Sequence, residues 1–271
     1  MNEIEEPYFL FIVPTLNSYK ILENLVYSIK EQTYKRWNIL FIDGNSSEKH
    51  KTWLKNLSRN DFRFKVINET GKKGIYSAMN LGCKSIKDNF WVFFLGSDDV
   101  LYDSHSLELV AEKIKAYFNK DISLLISNSN FINPINKKII RKNKVPFKHA
   151  IRRKNLSNIF FRGYVPDHQS VCYSSTLLKN IPLYSEDYFL ASDLEMFIRM
   201  SRCKKLKNIL FLNETFANVA SGGISSKLLI KKYLEVTKIY FQYYGLFFFI
   251  PLSLRYLRKS ISIIRCISKN I

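Results

Sequence analysis

The chain is short of the residues that build disulfide, zinc or linker-rich proteins. Only four of its 271 residues are cysteine (Cys83, Cys172, Cys203 and Cys266), with no Cys-x-x-Cys pair, and its four histidines show no ligand spacing. This argues against a disulfide framework or a zinc site and fits thiols kept reduced in a cytosol. Nine glycines and seven prolines are dispersed and make no linker, so one continuous domain is the simpler organisation. The Gly-x-Gly-x-x-Gly fingerprint is absent and Gly71-Lys-Lys-Gly74 lacks Walker spacing. A hydride-transfer enzyme and a P-loop NTPase are both disfavoured. No apolar run reaches the roughly 20 residues a membrane span needs, because Ile239–Leu254 is interrupted by Gln242, Gly245 and Pro251. The acidic start, Met-Asn-Glu-Ile-Glu-Glu, lacks the positive stretch of a secretory signal. A cytoplasmic site of action is expected.

Acid is also scarce. Asp plus Glu number 23 against 42 Lys plus Arg, a net +19 that points to an anionic partner. The excess lies in two patches: Ile135–Arg162 holds ten basic residues and no acid, and Lys227 to the end holds nine against Glu235 alone. The second patch follows aromatic and aliphatic residues and reads as a pair of basic amphipathic helices on a membrane interface, the alternative being helices packed on the domain. Pro251 is expected to mark a kink or break between them.

What is present is a series of strands and helices. Apolar runs at Tyr8–Val13, Asn38–Ile42, Arg63–Ile67 and Phe90–Leu95 alternate with helical patterns at Ser18–Gln32, Ser47–Leu57 and Ile75–Ile86. This βαβ series predicts an α/β fold with a mostly parallel central sheet flanked by helices. Further on come a strand at Ile122–Ser127, a basic irregular stretch to Arg162, a helix over Tyr188–Arg202 and a strand at Leu206–Leu212. Residues 1–127 read as a nucleotide-binding half, 128–226 as an acceptor half and 227–271 as the C-terminal helices.

The most informative stretch is Phe90-Trp-Val-Phe-Phe-Leu-Gly-Ser-Asp-Asp99, an apolar run ending in two carboxylates. A strand buried on both faces would deliver Asp98 and Asp99 to the sheet rim where open α/β proteins bind ligands. Two hard oxygen donors there suit a divalent cation shared with a ligand's phosphates; a plain solvated turn is the alternative. Asp103-Ser104 is a better start signal for the next helix, Leu107–Phe118, which frees the earlier pair from capping. Val13-Pro14-Thr15 follows the first strand, where Pro14 would end the ladder. Asp43-Gly44-Asn45-Ser46 ends the second, where Asp43 either accepts from a base or ribose or makes an Asx-turn. Lys72-Lys73-Gly74 opens a helix, a place favourable to phosphate.

Together with Lys73-Gly-Ile-Tyr-Ser-Ala-Met-Asn80, His168-Gln169-Ser170, Ala191-Ser-Asp-Leu-Glu195 with Arg199, and Gly222-Gly-Ile-Ser225, these motifs resemble, in order, family 2 glycosyltransferases of the bacterial cell-surface polysaccharide and lipopolysaccharide type. The resemblance runs from about Tyr8 to Ser226. It implies the GT-A fold and an inverting transferase using a nucleotide-diphosphate sugar, UDP-linked by expectation, with Mn2+ or Mg2+. Carried over, it implies donor or nucleotide contacts at Pro14, Thr15, Asp43, Ser46, Lys73, Gly74 and Asp98, a metal ligand at Asp99 and a catalytic base at Asp193. His168, Gln169, Glu195, Arg199 and the loop of Gly222 and Gly223 would serve the acceptor or close the site. Asp193 has a plainer alternative as a first-turn dipole partner, His168 as a structural histidine, and Glu195 as the residue that orients Arg199. Gly96 and Ser77 depart from the family pattern, each losing a polar contact near the donor, and a transferase degenerate in turnover is a competing reading. The Gln-x-x-Arg-Trp signature of processive synthases is missing, so single-sugar transfer is favoured. The expected acceptor is a lipid-linked saccharide and the expected location the inner face of the cell membrane, peripherally bound through its anionic surface. A basic nucleic-acid-binding protein is the alternative class, but the aromatics fall in apolar runs and are not interleaved with the basic residues, so no nucleic acid is expected.

Overall fold

The structure is a computed structural model that describes residues 5–70, 74–147, 150–223 and 227–268. Its first half alternates β1 (Tyr8–Thr15), α1 (Tyr19–Lys30), β2 (Trp37–Asp43), α2 (Glu48–Asn60), β3 (Phe64–Asn68), α3 (Ile75–Cys83) and β4 (Phe90–Phe94). The order β3-β2-β1-β4 is parallel throughout, as the sequence pattern predicts. Side chains alternate along β1: Leu10 and Ile12 enter the core beneath α3, while Phe9, Phe11 and Val13 enter the core beneath α1 and α2. In α1 the buried residues Leu22, Leu25, Val26 and Ile29 are spaced as one helical face.

The second half is mixed, so parallel character is confined to the first four strands and one later pair. After β5 (Val100–Leu101) and α4 (Ser106–Ala116) come β6 (Ile122–Ile132), β7 (Ile139–Asn143), β8 (Ala150–Arg152), α5 (Arg153–Phe161), β9 (Val171–Ser174), α6 (Ser175–Lys179), α7 (Ser192–Arg202) and β10 (Asn208–Ala220). β9 runs antiparallel to both β4 and β6, β10 parallel to β6 and β5 antiparallel to β10. The basic stretch expected to be irregular contains β7, β8 and α5; its alternation is masked by lysines that solvate an edge strand. Both β6 and β10 outrun their predicted ends, because β6 continues through polar but buried Ser127, Asn128, Ser129 and Asn130. Their groups are paired: Asn128 Nδ2 donates to Asn213 O at 2.5 Å, and Asn130 Nδ2 to Asn218 Oδ1 at 3.0 Å.

The last two helices are α8 (Leu229–Tyr244) and α9 (Phe249–Ile267). Val236, Ile239, Tyr240 and Leu252 are buried in the main core, so both helices pack on the domain. The break falls at Gly245 (φ 56°), and Pro251 sits in the first turn of α9, where its missing N–H costs nothing. The expected break at Pro251 is therefore six residues late. Helix α9 closes on the end of α5: a Cβ on Gly163 would stand 2.4 Å from Arg255 N, and Gly163 has φ +78°. Arg258 Nε donates to Arg162 O at 2.9 Å, and Ser262 Oγ to Lys142 O at 2.6 Å. Gly163→Ala is expected to destabilise the protein by about 1–3 kcal/mol through overpacking and left-handed strain and to open α9 to protease, measured by urea unfolding and limited proteolysis.

Candidate functional site

The C-terminal ends of β1, β2 and β4 meet on one rim. Thr15 lies in register with Asp43, and Ser97, in the turn after β4, donates through Oγ to Pro14 O at 3.0 Å. Pro14 does not end the ladder on both sides: β1 stays paired with β2 through Thr15, while its pairing with β4 stops at Ile12.

Asp43 is fully buried. Its Oδ2 accepts from Ser46 N at 3.0 Å, and its Oδ1 accepts from Ser46 Oγ at 2.5 Å and Thr15 Oγ1 at 3.3 Å. Ser46 Oγ in turn accepts from Asn17 N at 2.9 Å, so the loops after β1 and β2 are tied together. The carboxylate is committed to the protein's own donors; of the two sequence readings, a base or ribose contact and an Asx-turn, the Ser46 N bond is the local turn. His50 Nε2 lies 3.4 Å from Asp43 Oδ1, both side chains fully buried, a close approach without hydrogen-bond alignment. Burial holds the His50 pKa below its ordinary value against the pull of Asp43.

Asp98 and Asp99 stand where β4 ends, but their exposures are unequal. Asp99 is 2% exposed; its Oδ2 accepts from Gly96 N at 2.7 Å, its Oδ1 from Ala220 N at 3.3 Å, and the Gln169 side chain also hydrogen-bonds to it. Asp98 is open to solvent. The sequence reading placed the metal on Asp99; here Asp98 is the accessible carboxylate and Asp99 the braced one, because β10 and the His168–Ser170 turn cover the latter. Burial, then the neighbouring Asp98 charge, pushes the Asp99 pKa up to about 8, and desolvation raises that of Asp98. Two adjacent carboxylates that resist ionising together are an environment a divalent cation would relieve. Among the described residues no cluster of three or more His, Cys, Asp or Glu forms, so a cation here would complete its shell with ligand oxygens and water. A Cβ on Gly96 would stand 2.9 Å from an Asp99 oxygen and 3.0 Å from an Asp98 oxygen. The departure at Gly96 is thus the small residue over which both carboxylates fold.

The Gly222–Gly223 turn follows β10 and covers the same place, with the Cα–Cβ direction of Gly223 ending 3.8 Å from Asp98 Oδ2 and Gly222 at φ +103°. Gly74, at φ +99°, precedes α3 and faces the Phe189 ring; Lys73, Ile224 and Ser225 lie outside the described residues.

Asp193 is half-buried in the first turn of α7 and accepts from Tyr76 Oη at 3.2 Å through Oδ1. The His168–Ser170 turn lies between Asp193 and the carboxylate pair: Gln169 reaches Asp99, and His168 sits in the field of Asp193, its pKa lowered chiefly by burial. Glu195 and Arg199 serve a structural loop. Arg199 Nε lies 2.8 Å from Glu195 Oε1, and its Nη1 and Nη2 donate to Pro182 O and Leu183 O at 2.5 Å.

Sequence reasoning missed two positioning residues. Tyr76 lies inside a quoted motif but was given no role. Glu235, the lone acid of the C-terminal segment, accepts from Phe189 N at 3.1 Å, Leu190 N at 2.7 Å and Ala191 N at 3.1 Å. It thereby caps the N-terminus of α7 from a neighbouring helix; its isolation among basic residues was the available signal.

Residues 10–164 match the model of glycosyl transferase family 2, and the chain belongs to that family: it is a glycosyltransferase. A PGL/p-HBAD biosynthesis glycosyltransferase of Mycobacterium bovis (strain BCG / Pasteur 1173P2) is 25% identical over 233 residues, 84% of this chain and 83% of the relative. The UDP-Glc:alpha-D-GlcNAc-diphosphoundecaprenol beta-1,3-glucosyltransferase WfgD of Escherichia coli is 31% identical over 182 residues, 66% of each chain. Among solved structures, S. aureus TarS 1-349 in complex with UDP-GlcNAc superposes with TM-score 0.66 at 19% identity, covering 86% of this chain and 65% of that one. The mannosyltransferase PcManGT of Pyrobaculum calidifontis, in complex with GDP-Man and Mn2+, gives TM-score 0.63 at 12% identity over 97% and 74%. The chain spans 39% of a longer TarS structure. These likenesses establish the GT-A fold.

Glu235→Ala is expected to cost about 2–4 kcal/mol, because three backbone N–H groups lose a charged acceptor, and to lower kcat more than it raises the donor KM; unfolding and steady-state kinetics measure both. His50 adds a pH dependence. Above its ordinary pKa of about 6.5 it is neutral folded or unfolded. Below that, the unfolded chain takes up a proton the folded site resists, so stability falls with pH until the folded pKa is reached. Wild type is expected to lose stability relative to His50→Gln between pH 7 and 5 in urea titrations.

Proposed function

We propose that this glycosyltransferase moves a single sugar, with inversion, from a uridine-diphosphate sugar to a lipid-linked saccharide at the inner face of a membrane, with a divalent metal at Asp98 and Asp99. The observation that carries the reading is the carboxylate pair at the end of β4, with the His168–Ser170 turn bonded to that pair through Gln169 and lying in the field of Asp193 through His168. The similarity to WfgD, with its diphosphoundecaprenol acceptor, and to the mannosyltransferase that holds Mn2+ supports the acceptor class and the metal.

The chemistry follows from the side chains. Thr15 and the loop braced by Asp43 and Ser46 bed the nucleoside, and Pro14 holds the chain in its turn above it. A metal ion bound at the two carboxylates would neutralise charge on the departing diphosphate. Asp193, oriented by the Tyr76 hydroxyl on Oδ1, offers its other oxygen to the acceptor hydroxyl. As the acceptor oxygen bonds to the anomeric carbon, the bond to the diphosphate oxygen breaks and the hydroxyl proton passes to Asp193. Glu235 and α8 fix α7 so that Asp193 keeps this aim.

Among the described residues no helix is long and apolar enough to cross a membrane. The C-terminal helices instead expose Leu229, Ile230, Leu246 (81% exposed), Phe247 (64%), Phe249 and Ile264 beside their basic residues, a surface suited to an anionic interface. Because Val236, Ile239 and Tyr240 are core residues, truncation at Lys227 would unfold the protein, and surface substitutions are the usable test.

A melting panel of UDP, GDP, dTDP and CMP, each with and without Mn2+, tests the donor site. UDP with Mn2+ is expected to raise Tm by several degrees in wild type but not in Asp98→Asn or Asp99→Asn; a metal-independent response, or none, would contradict the reading. Asp193→Asn is expected to bind UDP normally and lose about 100- to 10,000-fold in transfer. Leu246→Ser with Phe247→Ser is expected to reduce flotation with anionic vesicles at least tenfold, since each lost apolar contact is worth about 1.5–3 kcal/mol.

A further inference from the structure

Behind Asp193, four cations from three elements converge: Arg141 of β7, Lys232 of α8, and Arg255 and Lys259 of α9. They are close enough to act on one another. Lys232 lies in the fields of Asp193, Arg255, Asp167 and Arg141, and Lys259 in those of Arg255, Lys232, Arg141 and Asp167. The acids present do not balance them. Asp167 is committed to Ser129 Oγ at 2.6 Å, Asn143 Nδ2 at 2.9 Å and Arg141 Nη2 at 3.5 Å; Asp193 is the other carboxylate in range.

Arg255 shows the deficit most directly. It is 9% exposed, and its Nε and Nη1 are buried without a well-aligned acceptor among the described residues, the Tyr240 hydroxyl being the neighbouring polar group. A buried guanidinium with unused donors is destabilising, and the fold does not let it escape: its backbone is wedged against Gly163 and the flanking Arg258 and Ser262 are tied down. His168 Nδ1 is likewise buried and unpartnered. Guanidinium and ammonium groups held together with donors to spare suit an anion, and forked donors with point charges are the chemistry of phosphate recognition.

We propose that Arg141, Lys232, Arg255 and Lys259 form a phosphate-binding subsite that holds the diphosphate of the lipid-linked acceptor beside the catalytic base. This rests on the transferase reading above and adds to it where the acceptor's charged group sits. The donor diphosphate has its own place at the Asp98–Asp99 rim. The two helices that supply three of the four cations also expose Tyr233, Leu234 and Leu257, apolar surface for the hydrocarbon that follows an acceptor diphosphate.

The test is calorimetric titration of the full chain with farnesyl diphosphate, inorganic pyrophosphate and farnesyl monophosphate, in EDTA and again in Mn2+ with saturating UDP. Farnesyl diphosphate is expected to bind in both, more tightly than pyrophosphate, and about tenfold more weakly to Lys259→Gln and to Lys232→Gln. Both variants are expected to bind UDP with Mn2+ as wild type does and to melt at equal or higher temperature, because each relieves repulsion; a merely structural lysine would lower Tm. Undiminished affinity in both variants, displacement by UDP, or pyrophosphate binding equal to farnesyl diphosphate would overturn the assignment. Normal UDP binding without farnesyl diphosphate binding defeats this subsite alone, whereas loss of both defeats the proposed uridine-diphosphate donor reading with it.

Discussion

Two like charges held side by side at the end of a buried strand set the terms for the rest of this site. Phe93 and Phe94 are fully buried on opposite faces of β4, so the turn after them has little freedom and Asp98 and Asp99 arrive together. Phe93 stacks on Phe216 with ring centroids 4.3 Å apart, which fixes β10 relative to β4 and lets Ala220 N reach Asp99. One carboxylate is thereby braced and desolvated while its neighbour stays open. Burial and then the neighbouring charge push Asp99 up, and desolvation raises Asp98, a cost of the kind functional sites retain because a ligand relieves it.

The C-terminal helices belong to the same arrangement. Glu235 on α8 caps α7 at the turn that carries Asp193, Tyr243 Oη donates to Glu195 Oε1 at 2.5 Å, and α9 seats Arg255 in the interior. The segment read from its composition as a membrane-interface element therefore also completes the half of the domain that carries Asp193. An amphipathic helix with a buried face and an exposed apolar fringe can do both, since burial of Val236, Ile239 and Tyr240 leaves Leu229, Ile230 and Leu234 on other sides of α8.

The parallel half was legible because its strands are continuous apolar runs and its motifs sit at strand ends, where geometry leaves little choice. The family resemblance rests on those motifs together with later ones at His168, Asp193 and Gly222, and the family match over residues 10–164 bears it out. The mixed half was harder to read. Buried serines and asparagines continue β6 by pairing with β10 and its loops, a satisfaction no single-sequence pattern displays, and lysines hide β7. At the site, residue types were readable but their commitments were not. Asp43 and Asp99 are occupied by the protein's own donors, and Glu195 holds Arg199 and a loop, because each hydrogen bond depends on segments distant in sequence. The cation cluster around buried Arg255 was visible only as two basic patches until the fold brought Arg141 to α9.

The central claim is that Asp98 and Asp99 hold a divalent cation against the donor's diphosphate. Anomalous diffraction at the manganese edge, from crystals grown with UDP and Mn2+, tests it most directly. The account predicts one strong peak within about 2.0–2.6 Å of a carboxylate oxygen from this pair and of nucleotide phosphate oxygens, absent from Asp98→Asn crystals. UDP bound on the Thr15 rim without a peak, or a peak held by other residues, would contradict it.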